Sequence, residues 1–187
     1  MPNPVIECSG LTKRYGRIVA LKGVTVSVTP GVVGLLGPNG AGKSTLISLL
    51  LGQTPASGGR AKVLGFDIRK GQLKIRQRIG YVPENDCMIP GMSGVGYVYY
   101  SCRLAGMRHA DAMQRAHEVL DYVGLEEARY RPSDQYSTGM KQSLKLAQAV
   151  VHDPDLLFLD EPTNGMDPHG REMMLTSRPV ISSPRIS

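Results

Sequence analysis

VVGLLGPNGAGKS, residues 32–44, is the stretch on which the fold turns. Its first five residues, Val32-Val33-Gly34-Leu35-Leu36, are apolar without alternation, the pattern of a strand buried on both faces of a parallel sheet. The next eight, Gly37-Pro38-Asn39-Gly40-Ala41-Gly42-Lys43-Ser44, run glycine, four residues, then Gly-Lys-Ser, the pattern of a phosphate-binding loop. A helix is predicted from Lys43 to Leu51, directly behind the loop. Glycines let the backbone curl until successive N–H groups face phosphate oxygens, and the helix start adds its positive end. A Gly-rich turn with an incidental lysine would lack this strand–loop–helix setting. In such a cradle Lys43 reaches the β- and γ-phosphates, the Ser44 hydroxyl is a magnesium ligand, and Thr45 adds a phosphate contact.

Outward from the loop, the chain reads as one ordinary domain of 187 residues, or one domain with an inserted subdomain. It is 41% hydrophobic and 20% charged, a globular composition, and no run approaches the roughly 18 apolar residues of a membrane span. Any membrane passage therefore belongs to a partner. The start, Met1-Pro2-Asn3-Pro4, has neither the basic nor the apolar region of a signal peptide, so a cytosolic location is expected. Cys8, Cys87 and Cys102 are scattered without metal-ligand spacing and read as reduced thiols. The net charge of +6 is spread along the chain and does not by itself point to nucleic acid.

Val5 to Val28 carries β-branched residues in near alternation and reads as short antiparallel strands. Residues 57–66 and 79–82 read as further strands, with a basic helical piece from Arg69 to Arg78 between them. From about Met92 to Val151 helical periodicity takes over. In Ala110–Val123, the residues Ala112, Ala116, Val119, Leu120 and Val123 fall on one face. After Pro154 comes an apolar strand, Leu156-Leu157-Phe158-Leu159, and then a helix that Pro168 can start. The last stretch, Leu175 to Ser187, has no acidic residue and is expected to lack regular structure.

The strand at Leu156–Leu159 delivers Asp160 at its C-terminal end, the edge of an α/β sheet where ligands collect. Asp160 is the expected magnesium partner. Glu161, next along, can orient an attacking water and accept its proton, which makes it the candidate general base.

With both nucleotide motifs in place, the chain from about Val5 to Met174 resembles the ABC ATPase family. The stretch YSTGMKQSLKLAQAVVHDPDLLFLDEPTNGMDP, residues 136–168, is similar to that family's signature helix running into Walker B and the D-loop. Tyr136-Ser137-Thr138-Gly139-Met140 takes the place of the family's Leu-Ser-Gly-Gly-Gln, keeping Ser137 and Gly139. The resemblance implies that these two reach the γ-phosphate of ATP held by an opposite subunit, and that Asp167 of the D-loop crosses the same interface. It also places Tyr15 as an aromatic stacking on adenine. After Tyr81-Val82-Pro83 the family usually has a glutamine that senses magnesium and the attacking water; here Glu84 stands in its place, as a variant metal-binding and catalytic residue. His169 comes too soon after the D-loop to match the family's switch histidine, and His109, His117 and His152 lie before Walker B, where surface or core roles are expected.

The resemblance implies a P-loop NTPase of the ABC ATPase type: α/β, with an antiparallel β subdomain, an inserted helical subdomain and the C-terminal part of the core missing. The expected segments are 1–91 and 154–174 for the ATP-binding core, 92–153 for the helical part with the signature, and 175–187 for a divergent tail. Catalysis falls to Glu161, Lys43 and Glu84, and the metal to Ser44, Asp160 and Glu84. ATP contacts run over Tyr15, Gly37, Pro38, Asn39, Gly40, Ala41, Gly42, Lys43, Ser44, Thr45, Ser137, Gly139 and Asp167. ATP and Mg2+ are the expected ligands. A membrane permease and a second ATP-binding subunit, paired head to tail, are the expected partners, with no nucleic acid, and the location is the inner face of the membrane through the permease. Glu84 and the Tyr-Ser-Thr-Gly-Met signature lean towards the exporter branch. Two other readings stand beside this one: an ATP-binding remnant with little turnover, and a non-transport ATPase of the family acting on ribosomes or nucleic acid.

Overall fold

A computed structural model describes residues 3–161, in two compact units, one up to Gln77 and one from Arg78 onward. The helix predicted at Pro168, the tail from Leu175, Asp167 and His169 lie outside the described residues.

The first unit is built on a four-stranded antiparallel sheet of order β2-β1-β3-β4, from β1 (Ile6–Tyr15), β2 (Ile18–Val28), β3 (Gly58–Val63) and β4 (Phe66–Asp67). The alternation read in Val5–Val28 becomes a long ladder in which Ile6 faces Val28 and Tyr15 faces Ile18. On its other side β1 pairs β3, Ile6 opposite Val63 and Cys8 opposite Ala61. Ile6, Cys8 and Leu11 of β1 and Ala61 and Val63 of β3 are buried. Helix α1 (Lys43–Leu50) buries Ile47, Leu49 and Leu50, and α2 (Gln72–Arg76) buries Ile75. The Arg76 guanidinium donates to the Leu51 and Gly52 carbonyls at 3.4 and 2.9 Å, closing the open C-terminal end of α1.

One expectation is corrected here. Val32–Leu36 is not a buried strand: residues 32–36 have no regular structure, and Val32 and Leu36 are 105% and 94% exposed. The physical reason lies in the ladder. A strand buried on both faces needs neighbours to accept its N–H and C=O groups, and among the described residues no strand pairs with this run.

In the second unit a parallel pair, β5 (Ile79–Val82) and β6 (Leu156–Leu159), runs in register from Ile79 opposite Leu156 to Val82 opposite Leu159. Helix α5 (Thr138–Val150) packs on β5, and α3 (Gly94–Leu104) and α4 (His109–Tyr122) pack on each other and on α5. The predicted face of α4 is the observed one: Ala112, Ala116, Val119 and Leu120 are fully buried and Val123 nearly so. Each branched aliphatic side chain buried this way contributes about 1.5–3 kcal/mol. Two 3₁₀ turns, Glu127–Tyr130 and Ser133–Gln135, lead into α5. The first is pinned to α4 by Arg129, whose guanidinium meets the Asp121 carboxylate and donates to the His117 carbonyl at 3.3 Å. That partnership holds the Asp121 carboxyl below the ordinary carboxylate range.

Helix α5 lies directly on β5. A Cβ placed on Gly80 would stand 2.2 Å from the Ala149 carbonyl oxygen and 2.7 Å from a Leu157 methyl carbon, so only glycine fits. Gly80→Ala is expected to destabilise the chain by about 1–3 kcal/mol, the usual cost of overpacking, read as a lower midpoint in urea. A midpoint equal to the wild type contradicts this packing.

Cys8 and Cys102 are buried and Cys87 is exposed. Burial raises both inner thiols, Cys102 to about 11, so at pH 8 they stay protonated and unreactive. The native chain should therefore consume one equivalent of an alkylating reagent at pH 8 and take up the rest only on unfolding. Fast native modification of Cys102, located by peptide mapping, is the contrary result.

Candidate functional site

The first unit carries the glycine loop. Residues 38–42 turn without helix or strand, Gly40 and Gly42 adopt left-handed backbone conformations at φ 80° and 90°, and α1 starts at Lys43. The glycine at 42 is also required by contact, because a Cβ there would lie 2.5 Å from the Ala20 carbonyl oxygen of β2. Helix α1 has no side-chain cap and no acid in its first turn, so its positive end is not answered by its own side chains. The Lys43 ammonium folds back over the loop and donates to the Gly37 and Pro38 carbonyls at 2.7 and 3.2 Å. A cation over a turn with an uncapped helix start fits a polyphosphate. Gly37, Pro38, Asn39, Gly40 and Ala41 are all exposed, as a loop approached by a ligand must be.

Tyr15 belongs to the same unit. It ends β1, opposite Ile18 of the strand on which Gly42 rests, and its ring is 48% exposed. The Lys13 ammonium stands 4.6 Å from the ring centroid and also donates to the Pro55 carbonyl at 2.9 Å. This cation holds the ring from one side.

The second unit gathers the acids. The register of β5 and β6 brings the loop after Val82 and the turn after Leu159 to one C-terminal edge, where the Asp160 N–H donates to the Val82 carbonyl at 2.9 Å. Asp160 is buried, Glu161 and Glu84 are exposed, and Glu161 holds a left-handed backbone at φ 50°, uncommon outside glycine. Tyr81 stands among them: burial raises its phenol first, and the Asp160 charge, a hydrogen bond to Asp160, the Cys87 thiol and the Glu84 charge raise it further. The Tyr81 proton is thus held on the hydroxyl, as a donor to Asp160. Ser137 caps α5, accepting from the Met140 N–H at 3.3 Å, and Gly139 lies in that helix's first turn with open space around it. Tyr136 is buried and donates to the Ala128 carbonyl at 2.7 Å, which seats the start of α5 against the 3₁₀ turn.

The three histidines among the described residues make structural contacts. His109 bonds the Tyr99 hydroxyl at 2.8 Å, His117 lies 3.2 Å from the Arg129 guanidinium, and His152 donates to the Ile79 carbonyl at 2.9 Å.

A family model described as ABC transporter matches residues 21–164. The chain belongs to that family. This cassette is 38% identical over 172 residues to the linearmycin resistance ATP-binding protein of Bacillus subtilis, covering 91% of this chain and 55% of that protein. It is 41% identical over 174 residues to the daunorubicin/doxorubicin resistance ATP-binding protein of Streptomyces peucetius, covering 92% of this chain and 53% of that protein. The cassette thus spans about half the length of the curated relatives it matches. Among solved structures, cbiO1 of Clostridium perfringens, part of the transporter complex cbiONQ, superposes with a TM-score of 0.79 at 30% identity, over 92% of this chain and 71% of that one. The dimeric bacterial cassette MJ0796 superposes with a TM-score of 0.83 at 26% identity, over 91% and 79%. The fold is the α/β ABC ATPase fold.

Two residues of the cassette escaped the sequence reading, Tyr81 and Lys145. Tyr81 reads as an ordinary strand aromatic. Lys145 carries a visible signal: it falls on the apolar stripe of α5, three residues after Gln142 and four before Ala149, both buried.

Gly42→Ala should weaken nucleotide binding, since the new methyl group must displace β2 or unwind the loop and the left-handed φ is itself unfavourable for alanine. The expected result in calorimetry is a loss of at least tenfold in ATP affinity, roughly the effect of 1.4 kcal/mol. Unchanged affinity would show that the loop does not need this backbone shape.

Proposed function

We propose that the cassette binds Mg-ATP and hydrolyses it to drive a separate membrane permease, with residues 1–91 and 154–174 forming the ATP-binding core and 92–153 the helical part. The observation carrying this reading is the glycine loop with Lys43 at the uncapped start of α1. Two supports come from relatives: the Bacillus and Streptomyces proteins are named as resistance ATP-binding proteins, and MJ0796 is known in a post-hydrolysis dimer bound to ADP and Pi. Among the described residues no helix is long and apolar enough to cross a membrane.

In this reading Lys43 and the loop amides from Gly37 to Gly42 hold the phosphates, Thr45 adds a contact, and Tyr15 offers its ring to adenine. Ser44, Asp160 and Glu84 supply oxygen donors suited to a hard divalent ion, and Tyr81 holds the Asp160 carboxylate by its hydroxyl. Magnesium, when bound, neutralises charge developing on the transferred phosphoryl group. Glu161 orients the attacking water and accepts its proton. Ser137, Gly139 and Asp167 serve a second cassette's nucleotide, so the active form is a head-to-tail dimer at the inner face of the membrane. An export direction follows the resistance proteins and the Glu84 variant. Of the three tyrosines of α3, Tyr97 is in the core and Tyr99 packs against it, which leaves the exposed Tyr100 to meet a cytoplasmic helix of the permease.

Lys43→Ala should lose roughly tenfold to a hundredfold in ATP affinity, since hydrogen bonds from a charged donor contribute about 1.5–3 kcal/mol. Glu161→Gln should keep affinity and lose turnover. Calorimetry with ATP and steady-state phosphate release separate the two effects. Equal ATP affinity in wild type and Lys43→Ala would sink the assignment of the loop, and Glu161-independent phosphate release would sink that of the base.

A further inference from the structure

Lys145 is the largest fully buried side chain among the described residues. A buried ammonium is costly unless every donor is answered. Here its three N–H donors meet three consecutive carbonyls of the loop after β5: Pro83 at 2.9 Å, Glu84 at 3.0 Å and Asn85 at 3.5 Å. The next residue supplies the counter-charge, with Asp86 Oδ1 3.9 Å from the same nitrogen. The other oxygen of Asp86 accepts from Lys141 at 3.0 Å, one turn earlier on α5. Two lysines of one helix face thus grip four successive loop residues. An apolar residue at 145 would pack against the same core without desolvating a charge.

We infer that Lys145, with Lys141 and Asp86, is a positioning device that fixes the backbone of Pro83–Asp86 and so sets where Glu84 stands at the edge shared with Asp160 and Glu161. The inference rests on the reading of Glu84 as a residue of the ATPase site. Three successive carbonyls turned onto one cation constrain the curl of the loop, and Glu84 is carried on that curl, its own carbonyl being one of the three. Lys141 also donates the first helical bond of α5, from its N–H to the Ser137 carbonyl at 2.9 Å. A displacement of α5 is thereby passed to Glu84 through the clamp, which joins the signature end of the helix to the metal-side loop.

The experiment compares the 187-residue chain with Lys145→Met and Asp86→Asn in two measurements. The first is cleavage after Glu84 by a glutamate-specific protease in the absence of nucleotide, with the other glutamates as internal controls. Loop cleavage follows local opening, so both variants should be cut several-fold faster at Glu84 alone, Lys145→Met more than Asp86→Asn. The second is the split between ATP affinity and turnover: Lys145→Met should keep affinity and lose roughly tenfold to a hundredfold in kcat, the effect of misplacing a catalytic group by about 1 Å. A folded Lys145→Met chain with unchanged Glu84 cleavage overturns the clamp. Parallel losses in affinity, turnover and thermal midpoint overturn the positioning role in favour of plain structural support. If Lys145→Met does not fold, Asp86→Asn decides, because its side chain is 54% exposed; unchanged cleavage there is equally fatal. Wild-type chain without Glu161-dependent turnover refutes the ATPase reading instead, and the cleavage result stands apart from it.

Discussion

The parallel pairing of β5 with β6 is the constraint on which the second unit depends. Four residue pairs in register bring two loops to one edge, and that edge is where Glu84, Asp160 and Glu161 emerge. The pair is too small to stand as a sheet by itself. It is held by α5, which presses onto Gly80 at a distance no side chain would allow, and α5 is packed in turn by α3 and α4, whose buried residues share its core. The acids are thus placed by backbone geometry.

The electrostatics of this edge follow from the same placement. Carboxylates brought together repel one another, and the chain answers with neutral and positive groups: the Tyr81 hydroxyl on Asp160, Lys141 and Lys145 on Asp86. A neutral phenol beside Asp160 leaves in place the negative charge that a divalent ion needs.

Features coded within a few residues were legible in the sequence. The glycine loop, the start of α1 at Lys43, the face of α4 and the strand ending at Asp160 each depend on local spacing, and the structure has them where they were read. The exposure of Val32–Leu36 was not legible, because whether an apolar run becomes a buried strand depends on which strands lie beside it, and spacing within the run carries no such information. Lys145 was passed over for the opposite reason. A lysine in a helix is ordinarily solvated, and only its place on the apolar stripe, together with a loop 60 residues earlier in the chain, turns it inward. Tyr81 shows the same limit, since its partner Asp160 is brought to it by strand pairing alone.

Among the described residues no strand pairs with Val32–Leu36, which bears on handling the protein. Val32, Val33 and Leu36 are exposed together, and a short apolar segment in that state is a template for strand addition from another molecule. Self-association through this segment would add copies one after another rather than close into a defined pair, because nothing in an extended run limits it to a single neighbour. Val32–Leu36 is thus, beside Ile18, Leu73 and Leu104, one of the exposed apolar places among the described residues at which such association can begin.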